Sequence, residues 1–567
     1  MILFVTLLIL IVMRSNPNVL PSRAASLPRN GFDMSYLTCF TAPVGLLLPS
    51  YVQDINPGDF IKIDVSNFTR TLALNTAAYA RIRERTDFYF VPNRLVWRHF
   101  DQFYTNVRDL DTAYSAVTYT TTPSKLPYIP GSAIYSWLAD AGNDIFGFPK
   151  NAYFERLLDL LGYPVANGDP AITKGFYGPT ASAAYNASKF NPFRLFAFAR
   201  LFNEFYRQTD YEVFDPRSYN LDNLGSDGDA SSNLQHLYAS LCNSPYKLWS
   251  KDRFTNIKPS QNYTEFTSVN TYEPGSGVIS TPNGGNSFAN FVGYAAGASA
   301  GSPTAQFTAI QSAQGLRNAL AVDRLARISQ LAPKTYEAQM KAHFGVDVDA
   351  CDYCRPRYLG SFDTKFIIDE VVASAAGSTG TGSTSHVGEI YGRGTCVGKG
   401  GRTIKAQFNE PGVVIGVHYF EPQAEYDSMR VDEFVTKLTR QDYYVPEYDS
   451  LGFAPLTRQN FLATPADQTL NNSVIGYIPR YAEYKSRYDE IHSTFQSGGI
   501  LKTWTIPRSI QSVAAQPILG LKVSPLVGRN LFSAVYDGTK LTDSFLCRYR
   551  YDVMMTRNMS EYGLPSI

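Results

Sequence analysis

The chain has 567 residues, a formal net charge of +1, 18% charged residues and 14% aromatic residues. Near-neutrality excludes binding to nucleic acid through a global basic field, so any such contact must come from local patches. Low charge together with 38 Tyr and 36 Phe suits a surface largely covered by neighbouring chains, and the length allows several domains or one domain with large insertions.

Ile2 to Met13 is apolar apart from Thr6. It is too short to span a bilayer, which takes about 20 residues, and no membrane span is expected elsewhere. Pro17 to Asn30 is polar and reads as an arm. Asn56-Pro57-Gly58-Asp59 is a turn, after which Ile61, Ile63 and Val65 alternate with Lys62, Asp64 and Ser66 as in a half-buried strand. Arg83 to Val91 is a second strand, which Pro92 either ends or confines to a sheet edge. Thr112 to Lys150 reads as irregular.

Helices follow at Tyr153 to Leu161, closed by Gly162 as C-cap, and at Pro192 to Arg207, with proline in the first turn. Ser226 to Ser302 is rich in Gly, Ser, Asn and Asp and reads as surface loop. Gly315 to Gln330 is helical, with Asp323 and Arg327 as an i,i+4 pair, and Lys334 to Phe344 is another helix. Strands then return at Thr403 to Phe408, Val413 to Phe420, Ser473 to Ile478, Thr503 to Ile506 and Phe545 to Met554. Strands at both ends, with helices and long loops between, describe a mainly β protein: a sandwich with expanded loops rather than βαβ units.

No catalytic constellation emerges. Gly297-Ala298-Ser299-Ala300-Gly301 fits the nucleophile pattern G-x-S-x-G, but it lies in a small-residue tract without strand or helix. Cys351 and Cys354 form a lone C-x-x-C with no second pair to complete a zinc site, and no metal or cofactor is expected. Gly392 to Gly401 reads as a flexible turn whose amides could cradle a phosphate, with Arg393, Lys399, Arg402 and Lys405 adding charge. Arg70, Arg81, Arg83, Arg85, Arg94 and Arg98 interleave with Tyr79, Phe88, Tyr89, Phe90 and Trp97, partly neutralised by Glu84 and Asp87. Arginine with aromatics can hold single-stranded nucleic acid; salt bridging within or between subunits is the equal alternative.

Several blocks, in order, resemble the major capsid proteins of microviruses, the small icosahedral single-stranded DNA phages, and their gokushovirus-like branch above all. They are Pro57-Gly58-Asp59, Asp87 to Trp97, Leu157 to Pro164, Pro192 to Arg207, and Lys251 to Thr255. Leu316-Arg317, His343 to Val346 and Arg355 to Gly360 form the strongest set. Asp442 to Gly452, Gly476-Tyr477, Ala482 to Tyr484 and Met559 to Pro565 complete it. Cys351 and Cys354 depart from the family pattern, as does the apolar start. Because the similarity begins near Phe32, translation from Met13 or Met34 is the expectation, with an export signal as the alternative.

The resemblance implies an eight-stranded jelly roll with large insertions containing short helices. It divides the chain into an arm at 1–31 and one capsid domain at 32–567, with a surface insertion at 209–306. It implies a T=1 icosahedral capsid around circular single-stranded DNA, assembled in the host bacterial cytoplasm and carried in the virion. The implied partners are further copies of the chain, an internal scaffolding protein, a DNA pilot protein, a small basic DNA-binding protein and a host receptor met by surface loops. The competing reading, drawn from the apolar start and the Tyr and Trp content, is a secreted β-sandwich hydrolase or glycan-binding protein.

Overall fold

Two kinds of strand differ in how many of their faces are buried. Phe60–Thr71 alternates strictly, with Ile61, Ile63 and Val65 inward and Lys62, Asp64 and Ser66 outward. Gly412–Pro422 is buried at nearly every position, as strands covered on both faces are. The computed structural model describes residues 29–71, 78–105, 125–164, 187–259, 355–372, 390–399, 403–508 and 543–559, with short gaps inside several ranges and smaller pieces between them. The apolar start, Gly297 to Gly301, Arg402, Cys351, Cys354 and most of the helices expected over 315–344 lie outside the described residues; the Asp323–Arg327 pair lies within them, at 2.7 Å.

In chain order the main elements are β1 (Asn30–Asp33), β2 (Tyr36–Ala42), β3 (Leu48–Ile55), β4 (Phe60–Thr71) and β5 (Ile82–Pro92). Helices α1 (Gly131–Ala139), α2 (Lys150–Leu160), α3 (Phe193–Leu201) and α4 (Ser231–Leu241) come next. They are followed by β6 (Arg357–Lys365), β7 (Ile367–Val372), β8 (Ile390–Lys399), β9 (Ile404–Gln407), β10 (Gly412–Pro422) and β11 (Phe545–Arg557). One antiparallel sheet has the order β1-β11-β4-β8-β7, with β2 also on β11 and β9 also on β4; the other has the order β6-β5-β10-β3.

The two sheets face each other across an aromatic core. Phe420 of β10 stacks on Phe545 of β11 at 3.8 Å, and Tyr51 of β3 meets Tyr551 of β11 at 5.0 Å. Such contacts fill the gap between inner faces with large rings in tilted and offset geometries.

The outer face of the second sheet is covered by the helices of the chain between β5 and β6. Tyr89 packs on Phe205 at 4.5 Å, and Asp87 accepts hydrogen bonds from Tyr419, Tyr206 and Arg85. α3 runs into a π turn at Phe202–Tyr206, which carries these rings. Hence β5 is a central strand, paired on both sides. Pro92 is its last residue and does not mark an edge.

The expected helix at Tyr153 to Leu161 is present as α2. Gly162 ends it at φ +82°, with Tyr163 N–H donating to Leu158 O and Gly162 N–H to Asp159 O, the Schellman pattern. Three expectations change. Thr112 to Lys150 contains α1, whose Ile134, Trp137 and Leu138 are buried. Thr503 to Ile506 is turn and irregular chain rather than strand. Of the expected surface loop from Ser226, the described part to 259 includes α4 and buries Leu234, Leu237, Leu241, Tyr246, Trp249 and Phe254. Polar residues there supply turns and caps between apolar anchors.

Candidate nucleic-acid and subunit interface

With one sheet covered outside by helices, the outer face of the other is the large strand surface left open among the described residues. Its composition follows from parity. In β11, Phe545, Cys547, Tyr549, Tyr551 and Val553 point inward, which turns Leu546, Arg548 and Arg550 outward. The register then aligns residues across strands. Arg550 lies across from Ser66, and Ser66 from Lys399 of β8. Arg548 lies beside Phe68 and Val397, and Leu546 beside Arg70 and Thr395. Lys62 separates Met554 from Lys405.

The face therefore combines Lys62, Arg70, Lys405, Arg548 and Arg550 with Leu37, Phe68, Val397, Leu546 and Met554. Lys62 meets Asp64 at 3.4 Å. Arg550 donates to Asp552 at 2.9 Å, and that hydrogen bond holds its guanidinium above its ordinary pKa. Arg70 lies 4.3 Å from the centre of the Phe68 ring. Arg70, Lys405 and Arg548 have no carboxylate within ion-pair distance among the described residues. α2 overhangs one end of the face and encloses a cleft of about 480 Å³ with Phe68, Arg70, Leu546 and Arg548 on its floor.

The basic residues singled out in the sequence thus separate into two groups. Arg70, Arg393 and Lys405 lie on this sheet, and β8 carries Lys399 into it. Arg81, Arg83, Arg85, Arg94 and Arg98 lie elsewhere. Arg81 is held by Asp489 and Glu425 at 2.8 and 3.2 Å, and Arg85 by Asp87 at 2.8 Å. Arg94 donates to Glu410 at 2.5 Å, and Arg83 lies 3.7 Å from Asp363. Arg98 donates its backbone N–H to Asp222. Arg81 and Arg83 also line a cleft of about 510 Å³ with Lys365. Arg548 and Arg550 carried a signal that sequence reading missed: they alternate with tyrosines inside an apolar-alternating strand.

The glycine-rich run at 392–399 is a strand and not a turn. Its amides serve the fold: Gly392 N–H donates to Leu74 O and Gly394 N–H to Thr71 Oγ1. They are therefore unavailable to a phosphate. Its glycines provide room between the sheets, because a Cβ on Gly394 would sit 2.1 Å from the Phe366 ring and one on Gly398 2.1 Å from Thr364.

Glu84 does not face the arginines beside it. It is fully buried between the sheets. Its Oε1 accepts from Tyr549 at 2.7 Å and Thr69 at 2.9 Å, and lies 3.0 Å from His418 Nε2; Oε2 accepts from Asn67 at 2.8 Å. Glu84 and His418 belong to the helix-covered sheet, and Asn67, Thr69 and Tyr549 to the open one. Glu84, His418 and Cys547 are the described group whose donor atoms lie close enough for a metal ion. Here the carboxylate is filled by protein donors, and burial pushes the Cys547 thiol well up, against thiolate ligation.

Comparison with known proteins gives one direction. The family model described as capsid protein (F protein) matches residues 22–134 and 177–567. The chain is 23% identical to capsid protein VP1 of Chlamydia phage 1, over 98% of this chain and 99% of that protein. It is 22% identical to capsid protein VP1 of Bdellovibrio phage phiMH2K, over 95% of each.

Proposed function

Because the chain belongs to the capsid protein (F protein) family and is a structural capsid subunit rather than an enzyme, we propose that it closes into a T=1 icosahedral shell around a circular single-stranded DNA genome. The observation that carries the fold side of this reading is strand order. Four strands of one sheet run β2-β11-β4-β8 and four of the other β3-β10-β5-β6. The chain crosses between sheets at β2 to β3, β3 to β4, β4 to β5, β6 to β8, β8 to β10 and β10 to β11. That alternation supports reading the sandwich as an eight-stranded jelly roll, with β1, β7 and β9 as additions. The two long excursions, 93–356 and 423–544, leave from strand ends, where length can be added without disturbing the core.

The remaining expectations belong to the same proposal. An arm precedes Phe32, and one capsid domain carries the insertions. The surface insertion at 209–306 would contribute to host attachment; as far as residue 259 it is anchored to the core, and the rest lies outside the described residues. Scaffolding, pilot and DNA-condensing proteins would be the other partners, assembly would take place in the host cytoplasm, and DNA charge would be met mainly by the small basic protein. Purified material should sediment and image as isometric shells; a stable monomer at micromolar concentration would overturn the proposal.

The open sheet face is the proposed site of genome contact, with its cations on phosphates and Phe68 against bases. Charge reversal at Arg548 and Arg550 should leave shell yield near wild type and reduce retained DNA. In single-strand binding, the log–log salt dependence should become shallower by about 0.7 for every phosphate that is no longer neutralised. Equal loss of shells and DNA would instead make this face a subunit contact. Arg81, Arg83 and Lys365 form a smaller second locus, to be tested by Arg83→Glu in the same assay.

A further inference from the structure

We propose that the aromatic tip formed by residues 432–444 with 481–484 is a lateral contact between copies of this chain, a reading that rests on the shell proposed above. The tip lies in the excursion between β10 and β11. Val435 is 74% exposed and Leu438 89% exposed, and Phe434, Tyr443, Tyr444 and Tyr484 are exposed as well. The rings are contiguous: Phe434 meets Tyr484 at 5.1 Å, and Tyr444 meets Tyr481 at 5.3 Å. An apolar surface of this kind marks an interaction site, and tyrosine is enriched at interface hot spots.

Charge gives DNA no hold on the tip. Around it Arg253, Arg430, Lys437 and Lys485 are each paired with a carboxylate, of Glu433, Glu490, Glu483 and Asp449 in turn, so acids and bases balance and no basic field is left for phosphate. Lys437, the cation at the centre, is already engaged. Its ammonium pairs with Glu483 at 2.5 Å and lies 4.2 Å and 4.9 Å from the Tyr484 and Phe434 ring centres. The rings offered to a strand of bases would therefore lack the basic groove that single-strand binding needs. A protein surface is the partner that remains, and a capsid subunit meets copies of itself on its sides.

The tip is also pre-shaped for contact. Asp432 accepts from Phe434 N–H at 2.8 Å, and Asp442 accepts from Leu438 and Thr439 N–H at 3.1 and 2.8 Å. Two carboxylates thus fix the turns that hold Val435 and Leu438 outward, which lowers the ordering cost of binding.

The test is Val435→Asp with Leu438→Asp in the full chain. Both side chains point to solvent in the subunit, so its melting temperature should not change, while shell yield should fall by about tenfold or more. Wild-type yield would overturn the proposal, as would a lowered subunit melting temperature. Normal shells that no longer adsorb to host cells would place the tip on the outer surface and overturn it too. Failure of the wild-type chain to form shells would count against the proposed function instead. As a second readout, Val435→Cys should react with a bulky maleimide in unassembled subunits and be protected in shells; equal labelling would sink the lateral contact.

Discussion

Glu84→Ala is expected to destabilise the unassembled subunit by about 3–5 kcal/mol, because several buried polar groups lose the acceptor they share. Four groups point at this carboxylate from both sheets, and none can reach water once it is gone. Asn67, Thr69, Tyr549 and His418 would each lose their contact with Glu84, and a buried polar group left unpaired costs about 1–3 kcal/mol. The sum of such penalties exceeds the expected total because side chains would rearrange around the cavity. Glu84→Gln keeps the shape but turns one acceptor oxygen into a donor, so it should fall between alanine and wild type. Urea unfolding of the subunit, followed by tryptophan fluorescence, measures both. A Glu84→Ala midpoint indistinguishable from wild type would show that the carboxylate does not clamp the sheets.

Gly394→Val should be nearly as damaging, at about 3 kcal/mol, because it overpacks a filled core. The new Cβ would fall within 2.1 Å of the Phe366 ring. That ring cannot retreat easily, since it is held edge-on by Phe545 at 5.2 Å and Phe420 at 6.5 Å. The expected signature is loss of soluble subunit and a lowered unfolding midpoint. A valine variant that folds normally and loses only its DNA would restore the phosphate-loop reading of this run and remove the packing account.

Much of the framework is legible in the sequence because period-two alternation depends only on local chain geometry. β4 and β11 stand out within a few residues on that basis, and β5 and β10 stand out instead as runs of β-favouring apolar residues. What alternation does not reveal is which strand lies alongside. Arg548 and Arg550 can be placed outward from their own strand. Their alignment with Ser66, Phe68 and Lys399 requires a register spanning hundreds of residues. Glu84 shows the converse. Among arginines in sequence it reads as their counter-charge. Its parity with Thr86 and Phe88 turns it inward, and a lone acid on an apolar parity is the signal that it is a core residue. The Gly392 run misleads for a related reason: glycine signals turns locally, whereas here it answers rings on a facing sheet. The helix at Gly131 is hidden by proline and glycine at its start, which serve there as cap and first turn.

The placement of β11 has a consequence for biosynthesis. This strand lies in the middle of its sheet, between β2 and β4, and pairs with β4 along twelve positions from Phe545–Thr71 to Thr556–Phe60. Until the ribosome has passed residue 557, β2 and β4 have a gap between them and the inner rings of the other sheet lack Phe545, Tyr549 and Tyr551 to pack on. Closure of the sandwich is therefore a late, slow event dominated by long-range contacts, and the partly made chain exposes strand edges that invite aggregation. A prematurely terminated polypeptide lacks this central strand, so its open sheet stays split between β2 and β4.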